Sequence, residues 1–251
     1  MKTVKGRFGL TAFTDSLEVI ESMEEGSFDL CLTDPPWNVD TGALKKRYHA
    51  SDFLLNGRET GQYVNKDFYD DLMSPEDYEA FCRRWFNAAM LACDMLIFVP
   101  GNKNLHLWFD IMEPKEILIN YIPNSVSITH SCRFAQFQYI LCYGQLRPFM
   151  FRSNVIVTPL RNSYNAGFGL VHPNIKEYGL WLSILERIKP KSVLEPFSGS
   201  GTTLEACEEL GIKYLGFELR DMYEEDIQKR VSRGMGNWKE RNRKFTIEGV
   251  V

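Results

Sequence analysis

Short apolar runs alternate along this chain with longer stretches whose apolar residues recur every three or four positions. The short runs predict strands at 8–13, 28–33, 95–99, 117–121, 138–142, 192–195 and 214–218. The longer stretches predict helices at 17–23, 75–93, 175–188 and 202–210. The helix at 75 has clear start signals: Ser74 as N-cap, Pro75 in the first turn, then Glu76 and Asp77. Gly211 is placed to close the helix that begins at Thr202. Strands alternating with helices predict an α/β fold, a mostly parallel seven-stranded sheet with helices on both faces. Two stretches break the pattern. Residues 39–71 are polar and contain Gly42, Gly57 and Gly61, and residues 145–171 contain Pro148, Pro159, Gly167 and Gly169. Loops of that length in a compact domain are functional or disordered.

Composition narrows the class. The 251 residues, 44% hydrophobic and 25% charged, suit a single domain over 1–251 with one sizeable core. No apolar run approaches the ~18 residues of a membrane-spanning helix, and 1–7 lacks the apolar stretch of a secretory signal. A cytoplasmic protein that does not engage membranes is expected. The six cysteines form no CxxC pair and the four histidines are scattered, so no metal site is expected. A net charge of −4 and a pI near 5.7 argue against a pure duplex binder. Local basic clusters matter more than the sum, and they stand at Lys45-Lys46-Arg47, Arg83-Arg84, Arg147 with Arg152 and Arg161, and 239–244.

The strongest chemical signal is Asp34-Pro35-Pro36-Trp37, placed directly after the apolar run 28–32. A strand therefore ends in an acid, two prolines and an aromatic ring, where open parallel sheets bind ligands. Two prolines remove two main-chain donors and fix φ, so nearby carbonyls are expected to stay free and rigidly aimed. With the Asp34 carboxylate they form a patch of acceptors beside the flat face of Trp37. Such a patch suits an aromatic amine, whose ring stacks while its NH₂ donates twice.

The second signal is Glu195-Pro196-Phe197-Ser198-Gly199-Ser200-Gly201-Thr202-Thr203. A strand enters a bend where Gly199 and Gly201 let the main chain approach a ligand closely. The following strand ends at Glu218, an acid placed to accept from ribose hydroxyls, as in dinucleotide sites. The pair indicates a nucleoside-bearing cofactor without naming it.

Together these segments resemble the β-group amino-methyltransferases of DNA, with adenine-N6 and cytosine-N4 members. The resemblance covers most of the chain. Residues 18–38 look like the catalytic segment, 138–144 like a late strand, and His172-Pro173-Asn174-Ile175-Lys176 like the motif before the cofactor loop. The order, catalytic motif before glycine loop, is the family's circular permutation. The resemblance implies a Rossmann-like S-adenosylmethionine-dependent methyltransferase fold. It assigns Asp34, Pro35, Pro36 and Trp37 to catalysis. To S-adenosylmethionine it assigns Asp15, His172, Lys176, Glu195, Phe197, Gly199, Gly201, Thr202, Thr203 and Glu218. The sheet's third cofactor strand then comes from 8–13, with Asp15 at its end near the cofactor adenine; a plain helix N-cap is the rival role for Asp15.

The implied activity is methylation of adenine N6 in DNA on a flipped base. Serine often replaces the acid of the motif in cytosine enzymes, so Asp34 favours adenine. Cytosine N4 and RNA adenine are the neighbouring alternatives, and a catalytically silent nucleic-acid-binding subunit is the alternative of another class. An NAD-dependent dehydrogenase would share the glycine loop but has no use for Asp34-Pro35-Pro36-Trp37. Duplex DNA is the expected partner, with a homodimer or partner subunit possible. Residues 39–71 are expected to be a DNA-side loop, with Lys45, Lys46, Arg47 and Arg58 at phosphates and Tyr48 or Phe53 filling the gap in the stack. Residues 145–171 are expected to hold a short recognition region.

Overall fold

The computed structural model describes residues 1–38, 73–125, 136–159 and 176–247, the last seven through their backbone. The strands among them are β1 (Thr3–Lys5), β2 (Gly9–Phe13), β3 (Phe28–Thr33), β4 (Cys93–Phe98), β5 (Glu116–Tyr121), β6 (Phe137–Gly144), β7 (Val155–Val157), β8 (Ser192–Glu195) and β9 (Lys213–Glu218). The helices are α1 (Ser16–Glu21), α2 (Pro75–Ala92), α3 (Leu105–Ile111), α4 (Tyr178–Ile188), α5 (Thr202–Leu210) and α6 (Glu224–Ile247).

The strands form one sheet in the order β1-β2-β9-β8-β3-β4-β6-β5-β7. The five from β2 to β4 run parallel. β6 runs against both its neighbours, β4 and β5. All seven expected strands are present, and the described residues add two more at the sheet edges. β1 pairs antiparallel with β2, and β7 pairs parallel with β5. Each extra strand has only three residues, too few for an alternation to register in sequence. β7 also shows that the stretch 145–171 is not all loop. The first turn of that stretch leaves β6 at Gly144, which pairs with Met95 near the start of β4. Arg147 therefore sits toward the opposite end of the sheet from Asp34.

The permutation is visible in the pairing. β2 lies parallel beside β9, with Phe13 opposite Glu218. The N-terminal segment thus completes the sheet beyond the last strand of the chain.

Alternation explains the two cores. Along β3, Leu30 and Leu32 face α4, α5 and α6, while Cys31 faces the layer of α1, α2 and α3. α2 carries Tyr78, Cys82, Trp85, Phe86 and Ala89 on one buried stripe. Its cap forms as expected, with the Ser74 side chain accepting from Asp77 N, a contact that stabilises such a helix by ~1 kcal/mol. Trp85 lies edge-on to Phe98, Trp108 and Phe197 at 5.3, 5.3 and 5.6 Å between centroids. Aromatic burial of this kind stabilises by about 3 kcal/mol per side chain, and it ties α2 to the strands that carry the site.

Candidate active site

β3 and β8 are parallel neighbours. From β8 the chain moves to one side of the sheet, and from β3 to the other. The crevice between their carboxyl ends is the switch point at which open α/β sheets bind ligands. Residues 34–37 and 195–203, 158 or more positions apart in the chain, both emerge there.

Asp34 follows β3 directly. Its Oδ2 accepts a 2.6 Å hydrogen bond from Lys176 Nζ, while its Oδ1 is buried and has no partner among the described residues. Burial pushes the Asp34 carboxyl up and the Lys176 ammonium down, and each partly offsets the shift of the other.

The main-chain carbonyls of the motif are not equally free. Tyr78 Oη donates to Pro36 O at 2.8 Å. Asn104 Nδ2 donates to Trp37 O at 2.7 Å and to Tyr78 Oη at 3.1 Å. No described group donates to Pro35 O. The expected free acceptors therefore reduce to Asp34 Oδ1 and the Pro35 carbonyl. The other two carbonyls act as struts that hold the turn.

Trp37 is fixed by Nε1 donating to Val99 O at 3.1 Å. Its ring lies so close to Gly101 that a β-carbon there would stand 2.8 Å from it, and the Lys176 ammonium sits 4.0 Å from the ring centroid. Asn38, at φ 52, exchanges two hydrogen bonds with the main chain of Met73. The segment 39–72 thus leaves and returns at one point beside the motif; the calls on Lys45, Lys46, Arg47, Tyr48, Phe53 and Arg58 lie outside the described residues.

The glycine loop divides into an exposed rim and a buried brace. Gly199 and Gly201 adopt φ 51 and 84, the left-handed region that favours glycine. Glu218 anchors the loop: its carboxylate accepts from Gly199 N at 2.7 Å and from Arg220 N at 2.9 Å. Burial raises Glu218 to about 7. Glu195 points inward rather than toward a ligand. It accepts from the Thr33 hydroxyl and from Phe197 N, and burial pushes it up to about 8. The Thr202 hydroxyl accepts from Trp181 Nε1 at 3.2 Å, Thr203 bonds Glu195, and Phe197 packs on Phe81 and Trp85. These four residues carry the loop from beneath.

Asp15 stands just past β2, beside Glu218, and caps α1 by accepting from Leu17 N at 2.9 Å. His172 and Arg161 lie outside the described residues. Lys176 is brought to Asp34 rather than to the glycine loop. Tyr78, Asn104 and Thr33 were not singled out in sequence, and nothing local to them marks their role. Among the described residues no cluster of His, Cys, Asp and Glu is arranged to hold a metal ion, and no helix is long and apolar enough to cross a membrane.

Comparison with known proteins places this geometry. A family model described as DNA methylase matches residues 153–229. The Type II methyltransferase M2.LlaDCHI of Lactococcus lactis subsp. cremoris is 25% identical over 250 residues, covering 88% of each chain. Among solved structures, the M1.HpyAVI complex with S-adenosylmethionine superposes with a TM-score of 0.55 at 16% identity, over 88% of this chain and 98% of that one. A putative DNA modification methylase of Thermus thermophilus, complexed with S-adenosyl-L-methionine, gives 0.56 at 17%, over 89% and 93%. The cytosine-N4-specific PvuII DNA methyltransferase gives 0.58 at 16%, over 94% of both chains. At these identities the structural likeness concerns the fold.

Proposed function

This chain belongs to the DNA amino-methyltransferase family, and we propose that it transfers a methyl group from S-adenosylmethionine to the N6 amine of adenine in DNA. The observation that carries this reading is the pair of unclaimed acceptors, Asp34 Oδ1 and the Pro35 carbonyl, on one rigid turn. An exocyclic NH₂ has two hydrogens to donate, one for each.

The amine of adenine is a weak nucleophile because its lone pair is delocalised into the ring. Two fixed acceptors favour a pyramidal nitrogen and free that lone pair. The gain is positioning and preorganised electrostatics. Tyr78 and Asn104 keep the acceptors from relaxing, since they hold the next two carbonyls of the turn.

The residues at the glycine loop fit the cofactor. A bend at glycine dihedrals leaves its main chain bare, and the Glu218 carboxylate, with two amides bound, retains lone pairs for ribose hydroxyls. S-adenosylmethionine supplies an electrophilic methyl group on a sulfonium. As the new N–C bond forms the C–S bond breaks, its electron pair stays on sulfur, and the nitrogen then gives one proton to water. The target amine is inaccessible inside a duplex, so the base is turned out and stacked on Trp37. Stacking of ~1–3 kcal/mol per base offsets much of the unstacking cost.

Asp34, rather than serine at this position, favours adenine over cytosine. The test is digestion of DNA to nucleosides after incubation with protein and S-adenosylmethionine, followed by mass spectrometry. N6-methyladenine is expected. N4-methylcytosine would overturn the choice of base, and S-adenosylmethionine binding without any methylated nucleoside would overturn the enzymatic reading.

A further inference from the structure

Lys176 precedes α4, whose N-cap is Glu177. A cation at a helix N-terminus gains nothing from the helix dipole, which favours anions there. The side chain is also almost wholly buried, at 4% exposure. Burial of an ammonium in such a place needs a compensating partner, and the partner is Asp34 at 2.6 Å. The same ammonium stands over the Trp37 ring, and Gly101 also lies against that ring.

These are two of the contacts that the target amine requires. A base stacked on Trp37 and donating to Asp34 would place its NH₂ group where the lysine Nζ now lies. We infer that Lys176 is an internal competitor for the target base, and thereby a residue that sets the site's selectivity for bases with an exocyclic amine. This inference rests on the methyltransferase reading above.

The selectivity follows from what each base gives back. A base that enters must push the ammonium off the ring face and loosen its bond to Asp34. An amine returns N–H donors to the carboxylate. A base with a carbonyl or a bare C–H at that edge returns none, and it leaves a buried carboxylate short of donors. Hydrogen bonds to charged groups contribute enough that their loss costs roughly tenfold or more in affinity. Lysine suits the task because its long unbranched stem can swing aside without moving α4.

The test compares binding of two duplexes by the protein with S-adenosylmethionine present. They differ at the methylated position, which holds adenine in one and unsubstituted purine, lacking the amine, in the other. The wild type is expected to prefer adenine by roughly tenfold or more. In Lys176→Met the preference is expected to fall severalfold, chiefly because the purine duplex binds more tightly. Lys176→Arg, which keeps a cation, is expected to retain most of it. A melting curve confirms that each variant is folded, and calorimetry gives its cofactor affinity. An unchanged adenine-to-purine ratio in Lys176→Met would overturn the inference alone. So would a ratio unchanged while cofactor affinity drops, which would return Lys176 to the cofactor site. A wild type that methylates no base and shows no preference would overturn the methyltransferase reading and this inference together.

Discussion

The hydroxyl of Tyr78, four residues into α2, donates to the carbonyl of Pro36, 42 positions earlier in the chain. A helix that packs by its aromatic stripe therefore also sets the aim of the proline turn. Tyr78→Phe removes this bond and keeps the ring in place. We expect a kcat about fivefold lower, as for loss of one ~1 kcal/mol hydrogen bond, with DNA and cofactor affinities nearly unchanged. Steady-state kinetics at saturating cofactor checks this, and wild-type turnover would remove Tyr78 from the positioning apparatus.

Asp34→Ala should abolish methyl transfer and leave S-adenosylmethionine binding close to wild type, because the glycine loop does not depend on it. It should also destabilise the fold by ~3 kcal/mol, since the buried Lys176 ammonium loses its partner. Adding Lys176→Met should restore most of that stability and none of the activity. Denaturant melts of the two single variants and the double variant test the coupling, and additive effects would disprove the pairing.

Glu218→Ala should weaken S-adenosylmethionine binding by at least tenfold. The substitution removes a ribose acceptor and unfastens Gly199 N from its carboxylate. Gly199→Val should act in the same direction, because a β-branched residue is strained at φ 51. Isothermal calorimetry with unchanged affinity for both variants would refute this cofactor site.

Glu195 gives a stability that depends on pH. Its folded pKa of about 8 lies above its ordinary value of 4.5, so the folded state binds a proton that the unfolded chain has released. This group's contribution is therefore full below about 4.5 and is lost as pH rises through 8. Glu218, raised to about 7, acts in the same sense over a narrower window. Wild-type stability should fall from pH 5 to pH 8. Glu195→Gln, neutral throughout, should flatten that fall, most visibly between pH 7 and 8. Urea melts across the range measure the slope, and an equally steep slope in the variant would mean that Glu195 is ionised in the folded protein.

The sequence by itself determined the parts of this protein that are written in contiguous residues. Asp34-Pro35-Pro36-Trp37 at a strand end and Gly199 and Gly201 at a strand-to-helix bend are local chemistry, and main-chain sterics make them legible without a fold. Hydrophobic period does the same for β3, β4, β8 and α2, and the order of the two motifs placed β2 beside β9. Three-residue strands at the edges and the charged helix α6 escaped, because neither shows enough apolar repeats to announce itself. Only the tertiary structure decided which polar groups meet. Lys176 reaches Asp34 across 142 positions, Thr33 reaches Glu195 across 162, and Asn104 reaches Trp37 across 67. Such pairings depend on how helices dock on the sheet, and docking is driven by apolar area that carries no information about a hydroxyl or an ammonium on the same element. The glycine loop shows the same division. Its bend was written in its glycines, but that Glu195, Thr202 and Thr203 turn inward to brace it while Glu218 holds its rim was settled by which side chains burial forced to find a partner.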